Sequence, residues 1–252
     1  MSKIATLTIF LLLFTLAQSS YRTQISNFGT IIENAPTVIF ENGFEEGNFS
    51  AWTGTCIDQG QSFTCVTATN EPTSPHHGNY QAKAIINGSL MPTSAYAYKN
   101  LPDSYTTINL RFYVYLSTYY CPRQPHETYL GTIASGENIL TQIGLTETTG
   151  EFVFIAYYGS STVILYSSKT LTPNVWHCLE IQRIQHPENG EYHVWLDNIE
   201  LTEFKRTNVD TSGYTANRIY VGNYHGCAYH KPDQVTFYTD CVAISNTYIG
   251  NE

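Results

Sequence analysis

The chain is poor in charge. Of its 252 residues only 13% are charged, and 12 basic residues face 21 acidic ones, for a net charge of −9. A nucleic-acid or polyanion surface needs many Lys/Arg contacts to phosphate or sulfate, so this balance argues against such partners. Neutral sugars, cations and basic partners remain compatible. Recognisable catalytic patterns are also missing. No G-x-S-x-G elbow is present, which removes the usual signature of a serine hydrolase. No E-x-D-x-x-E run supplies the paired carboxylates that glycoside hydrolysis needs on one strand face. Glu45 and Glu46 are adjacent and would point to opposite faces of a strand. The 8 histidines show no metal-ligand spacing, and neither CxxC nor HxxxH occurs. No helix-period pattern, internal repeat or linker divides the chain.

Long apolar runs are scarce too, and the single exception is terminal. Lys3 followed by the apolar stretch Ile4–Leu16 and the small residues of Ala17-Gln18-Ser19 reads as a signal peptide over residues 1–19. Such a run is too short to cross a bilayer comfortably. Removing it leaves 11 basic residues against 21 acidic, and the expected product is secreted or held at an extracellular surface. Residues 20–37 form a variable lead, and residues 38–250 make one domain of about 200 residues.

What the chain has in abundance is tyrosine, with 20 residues, beside six cysteines. An even cysteine count behind a leader predicts disulfides. Fifteen pairings are formally possible. Spacing favours Cys56 with Cys65; Cys227 and Cys241 could face each other across the last hairpin, which would leave Cys121 with Cys178.

Residues 176–202 organise the rest. Leu179 and Ile181 alternate with Glu180 and Gln182, the period of a strand with one polar face. Asn189-Gly190 predicts a two-residue turn, and the return strand puts Tyr192, Val194 and Leu196 on one face, with His193 and Trp195 on the other. Asp197-Asn198 predicts a second tight turn before Ile199 and Leu201. The result is an antiparallel meander. Similar short strands recur at Val38–Phe40, Phe63–Ala68, Gln81–Ile86, Ala95–Tyr98, Thr107–Tyr115, Tyr129–Ala134, Ile139–Leu145, Phe152–Tyr158, Thr162–Tyr166, Arg218–Val221 and Thr236–Ile244. About a dozen strands at this spacing predict an all-β antiparallel sandwich. Trp52 and Trp176 are expected in its core.

The stretch WHCLEIQRIQHPENGEYHVWLDN also resembles the late hairpin of LamG-like jelly rolls in the concanavalin A-like lectin/glucanase superfamily. Trp176, Cys178, Leu179, Glu180, Asn189, Gly190 and Trp195–Asp197 carry the likeness, with Asn198 replacing the usual Gly. Residues 40–55 and 237–250 agree with it. The resemblance implies a jelly-roll fold but selects no single function, because this architecture hosts lectins, hydrolases, lyases and adhesion modules.

Three kinds of site follow. The resemblance implies a structural calcium tying the first strand to the last, through Glu45 and Asp240, with Glu41 and Glu46 nearby; Cys241 stands where a second acidic residue is usual. A carbohydrate surface is expected at loop aromatics, because pyranose C–H faces dock on rings while polar neighbours bind the hydroxyls. The candidates are Tyr119, Tyr120, Tyr224, His225 and Tyr229, with Trp195 beside His193, and Tyr157 and Tyr158 at a strand end. Finally, Tyr220-Val-Gly-Asn-Tyr224-His225 faintly resembles the Y-x-K-x-G-x-Y strand of jelly-roll polysaccharide lyases. Val221 occupies the Lys position, and Gln142-Ile-Gly144 lacks the expected His. Asn48-Phe-Ser50 and Asn87-Gly-Ser89 are formal glycosylation sequons. Together these features predict a secreted, non-catalytic carbohydrate- or glycoconjugate-binding protein. An adhesion protein with a protein partner and, behind it, a polysaccharide lyase are the alternatives.

Overall fold

The computed structural model describes residues 37–87, 93–119, 127–146, 149–226 and 234–252. The leader, the N-terminal lead, Tyr120, Cys121, Cys227 and Tyr229 lie outside them. The described residues contain no helix.

Sixteen strands occur among these residues. In the first half they are β1 (Val38–Asn42), β2 (Gly54–Ile57), β3 (Ser62–Val66), β4 (Gln81–Asn87), β5 (Thr93–Tyr105), β6 (Thr107–Tyr119), β7 (Glu127–Ser135) and β8 (Asn138–Thr146). The second half adds β9 (Glu151–Tyr158), β10 (Ser161–Thr170), β11 (Trp176–Ile184), β12 (Gly190–Leu196), β13 (Ile199–Glu200), β14 (Arg206–Val209), β15 (Ala216–Gly226) and β16 (Gln234–Ser245). They form two antiparallel sheets. One runs β13-β12-β11-β6-β16-β4-β3, with β1 also on β16 and β14 on β12; the other runs β10-β9-β8-β7-β15-β5-β2. The chain passes between sheets at β1–β2, β2–β3, β4–β5, β5–β6, β6–β7, β10–β11, β14–β15 and β15–β16, as a jelly roll does.

Alternation makes the core. β6 turns Ile108, Leu110, Phe112 and Val114 inward, β9 turns Phe152, Phe154 and Ala156 inward to meet them, and Leu179, Ile181, Ile219 and Val221 join one buried cluster. Each fully buried side chain of this size contributes about 1.5–3 kcal/mol, which makes inner-face burial the largest stabilising term. Trp52 belongs to this core. Trp176 does not; it packs on the outer face of the nine-stranded sheet, against Tyr115 and His76. The outward positions there are covered by residues 67–80 and by the tail after β16, which explains a half-buried tryptophan outside the sandwich.

The meander forms as β11-β12-β13, with Tyr192 and Val194 facing the core. Asp197 and Asn198 both have positive φ, 51° and 66°, as a tight hairpin turn requires. The Asn189-Gly190 expectation is corrected. Ile184 pairs with Glu191, so the connection is longer than two residues. It is held by the N–H groups of Glu188 and Asn189 donating to His186 Nδ1, at 3.0 and 2.8 Å. Gly190 is needed for close approach instead: a Cβ there would overlap Thr211 Oγ1 and the Val209 carbonyl.

The Cys56–Cys65 disulfide is also corrected. Both are free thiols. Cys56 on β2 faces Tyr96 in the seven-stranded sheet, whereas Cys65 on β3 faces Ala82 in the nine-stranded one. The connection between them leads from one sheet to the other and does not close a hairpin. Cys178 and Cys241 are free as well.

Candidate functional site

The outer face of the seven-stranded sheet is tiled with tyrosine. Residues in register share a face, so Tyr98, Tyr220, Thr132, Gln142 and Ile155 make one row across five strands. Tyr224, Tyr129, Gly144, Val153 and Tyr166 make a neighbouring row. Tyr96 lies beside both, edge-on to Tyr220 at 5.2 Å and to Tyr224 at 5.3 Å. Tyr220 and Tyr224 are 5.4 Å apart. Tyr157 projects from β9 on the same side. Seven tyrosines therefore share one face because they sit at the outward positions of β5, β7, β9, β10 and β15.

Polar groups frame this surface. Gln142 Nε2 donates to Thr132 Oγ1 at 3.3 Å, and both residues are buried beneath the rings although they point outward. Glu127 accepts from Tyr166 at 3.4 Å. At the other end Arg218 pairs with Glu137, donates to Asn100 Oδ1 at 2.6 Å and lies over the Tyr98 ring at 5.2 Å. Burial pushes the phenols of Tyr96, Tyr129, Tyr157, Tyr220 and Tyr224 above their usual values, with Arg218 opposing this at Tyr220. The phenols are neutral donors and acceptors at physiological pH. That suits hydrogen bonding to hydroxyls and disfavours a phenolate base.

No protein-family model matches the chain, and no curated protein matches it in sequence. Solved structures do match in shape. An endo-β-1,4-glucuronan lyase from the fungus Trichoderma reesei superposes with a TM-score of 0.65 at 15% identity, covering 84% of this chain and 96% of that one. The cellulose-induced protein Cip1 gives 0.60 at 15% identity, covering 84% and 100%. Alginate lyase vAL-1 from a Chlorella virus gives 0.58 at 13%, covering 83% and 99%. The fold is an antiparallel β-sandwich of the jelly-roll type. At these identities the likeness establishes the fold alone.

Within this jelly roll the lyase-like segments do come together. Gln142-Ile143-Gly144 and Tyr220–Tyr224 share the tyrosine face, one strand apart. The place of the family's His is sterically closed, because a Cβ on Gly144 would overlap the Thr128 carbonyl. No imidazole can be built there on this backbone.

The expected sugar residues are not assembled as a set. Tyr224 is on the face just described, and Tyr157 with it. Trp195 is on the opposite side of the molecule, stacked on His193 at 5.5 Å and packed on Tyr248 at 4.7 Å. Tyr158 turns inward against Tyr192. Tyr119 and His225 belong to β6 and β15, and their side chains lie outside the described residues. Tyr96, Tyr98, Tyr129, Tyr166 and Tyr220 are not among the expected sugar contacts; the sequence signal for them is the outward parity of their strands rather than a position in a loop.

Glu45 and Asp240 meet at the same loop, while Glu41 is exposed on β1, in register with Ala243 of β16. Glu45 accepts the N–H groups of Asn79 and Tyr80 at 2.9–3.0 Å. Asp240, fully buried, accepts those of His77 at 3.1 Å and Cys241 at 2.7 Å. Burial raises the Asp240 carboxyl to about 6. Both carboxylates are thus turned to peptide N–H donors. Calcium requires six or more oxygens around one point, and this donor set does not fit it.

Proposed function

We propose that the protein is a non-catalytic carbohydrate-binding jelly roll whose recognition surface is the tyrosine face of the seven-stranded sheet. The observation that carries this reading is the convergence of Tyr96, Tyr98, Tyr129, Tyr157, Tyr166, Tyr220 and Tyr224 on one outward surface, with neutral phenols over a Thr132–Gln142 floor. Sugar rings stack their C–H faces on such aromatics while the phenols and amide serve the hydroxyls. The net charge of −9, and an Arg218 already paired with Glu137, favour a neutral glycan over a polyanion. The two lyases among the structural neighbours are named for polysaccharides, which agrees with a sugar-directed surface. Closure of position 144 weighs against lyase chemistry. The leader-like start makes the protein extracellular in this reading.

Affinity electrophoresis against a panel of neutral and acidic polysaccharides tests it. Retardation by a neutral glycan, reduced in Tyr220→Ala and Tyr96→Ala but retained in Trp195→Ala, is the expected outcome. Binding lost only in Trp195→Ala would move the site to the other sheet. Release of unsaturated uronate products would replace the reading with a lyase, and binding to no glycan would favour a protein partner.

A further inference from the structure

Beside the Asp240 junction, three chemically different donors converge on the outer face of the nine-stranded sheet. His76, Cys241 and Glu252 each offer a ligand atom, and these atoms lie within 4.8 Å of one another. They come from three separate segments: the loop before β4, strand β16 and the C-terminal tail. The separation of His76 Nδ1 from Cys241 Sγ is 3.6 Å. Two ligands on a tetrahedral zinc, with bonds of about 2.0 Å to nitrogen and 2.3 Å to sulfur, stand about 3.5 Å apart. The pair is already at coordination spacing.

Each donor is held in place by other groups. Cys241 has φ of 47°, a conformation non-glycine residues rarely adopt, at a break in the β16–β6 register between Asp240 and Ala243. A bulge of this kind re-aims a side chain, here the thiol. The His76 ring stacks on Tyr113 at 3.6 Å, and the next residue's N–H is held by Asp240. Glu252 donates its N–H to the Tyr113 hydroxyl at 2.9 Å, and its carboxylate meets Arg111. Two tail residues before it, Ile249 and Gly250, are fixed by Glu180.

We propose that His76, Cys241 and Glu252 bind a zinc-class divalent cation. Thiolate, imidazole and one carboxylate suit Zn²⁺ or Co²⁺, whereas calcium and magnesium take oxygen ligands. On binding, the Cys241 S–H bond breaks, its proton passes to solvent and the sulfur lone pair bonds the metal; no electron transfer is involved. Arg111 gives up Glu252 and keeps its contact to the Gly250 carbonyl at 3.1 Å. Three protein ligands leave the fourth tetrahedral position to water or a ligand atom.

Chelator-treated full-length protein titrated with Zn²⁺ by calorimetry, and with Co²⁺ by absorbance, tests the proposal. One equivalent of Zn²⁺, together with a thiolate-to-cobalt charge-transfer band, is expected. Cys241→Ser should abolish the band, and His76→Ala should weaken zinc at least tenfold. Failure of the wild-type protein to bind stoichiometrically overturns the proposal whatever the variants do. So does a cobalt spectrum without the thiolate band, or zinc affinity unchanged in both variants.

Discussion

Arg111 and Glu180 face each other across the β6–β11 pair and grip the same residue from both sides. Arg111 donates to the Gly250 carbonyl at 3.1 Å, and Glu180 accepts the Gly250 N–H at 2.9 Å and that of Ile249 at 2.9 Å. Both charged side chains stand on the outward side of the sheet, yet both are buried, because the tail they hold is their cover. Arg111 keeps its ion pair with Glu252 when Glu180 is removed, but the tail N–H groups of Ile249 and Gly250 lose their acceptor, at a cost of about 1–3 kcal/mol for a buried unsatisfied donor. Glu180→Ala should therefore lower stability by that order in urea unfolding and release the tail, seen as new proteolysis after β16. A loss below about 1 kcal/mol with an intact tail would contradict the clamp.

The same residue sets a pH dependence. Burial raises the Glu180 carboxyl above the usual carboxylate value, with the two tail N–H groups and Arg111 opposing it. A raised acid binds its proton more tightly folded than unfolded. Its contribution to stability is complete below the unfolded value and declines as pH rises through the folded one. The stability difference between wild type and Glu180→Gln, followed by denaturation from pH 3.5 to 8, should shrink with rising pH through the carboxylate range. A difference that grows across that range would show the opposite shift.

Gly190 gives a steric prediction. Gly190→Ala drives its Cβ into Thr211 and the Val209 carbonyl, where backbone cannot yield cheaply. Overpacking of this kind costs about 1–3 kcal/mol. If the glycine served only a turn of positive φ, Gly190→Asn would be tolerated; with the Cβ contact limiting, Asn should be no better than Ala in urea unfolding.

Calcium supplies a negative prediction. With Glu45 and Asp240 already turned to peptide N–H donors, millimolar calcium should leave Tm within about 1 °C of its value in chelator. A larger rise, abolished by Asp240→Asn, would place the ion at that junction.

The strands, the meander and the sandwich were legible because alternation of apolar residues survives wherever one face is buried. Leu179, Ile181, Tyr192 and Val194 all obey it. The outer faces were harder to read. Tyr96, Tyr98 and Tyr220 alternate as any strand residues do, and only the register of β5, β7, β8 and β15 gathers them into one surface. Trp176 looked like core because a buried tryptophan usually is; its cover comes from residues far away in sequence. The short β2 and β14 have little apolar content and gave no period. His76 lies 165 residues before Cys241, and Glu252 joins them only through the path of the tail after β16, so no local spacing could reveal the three. Cys56 and Cys65 failed for the converse reason: nearness in sequence suggested a pair that the change of sheet separates.

The most direct test of the tyrosine surface is a calorimetric titration of the best-binding neutral glycan into wild type, the double variant Tyr96→Ala/Tyr220→Ala, and Trp195→Ala. The double variant should bind at least a hundredfold more weakly, about 2.8 kcal/mol, while Trp195→Ala should bind as wild type does. Equal affinity in the folded double variant and wild type would contradict it.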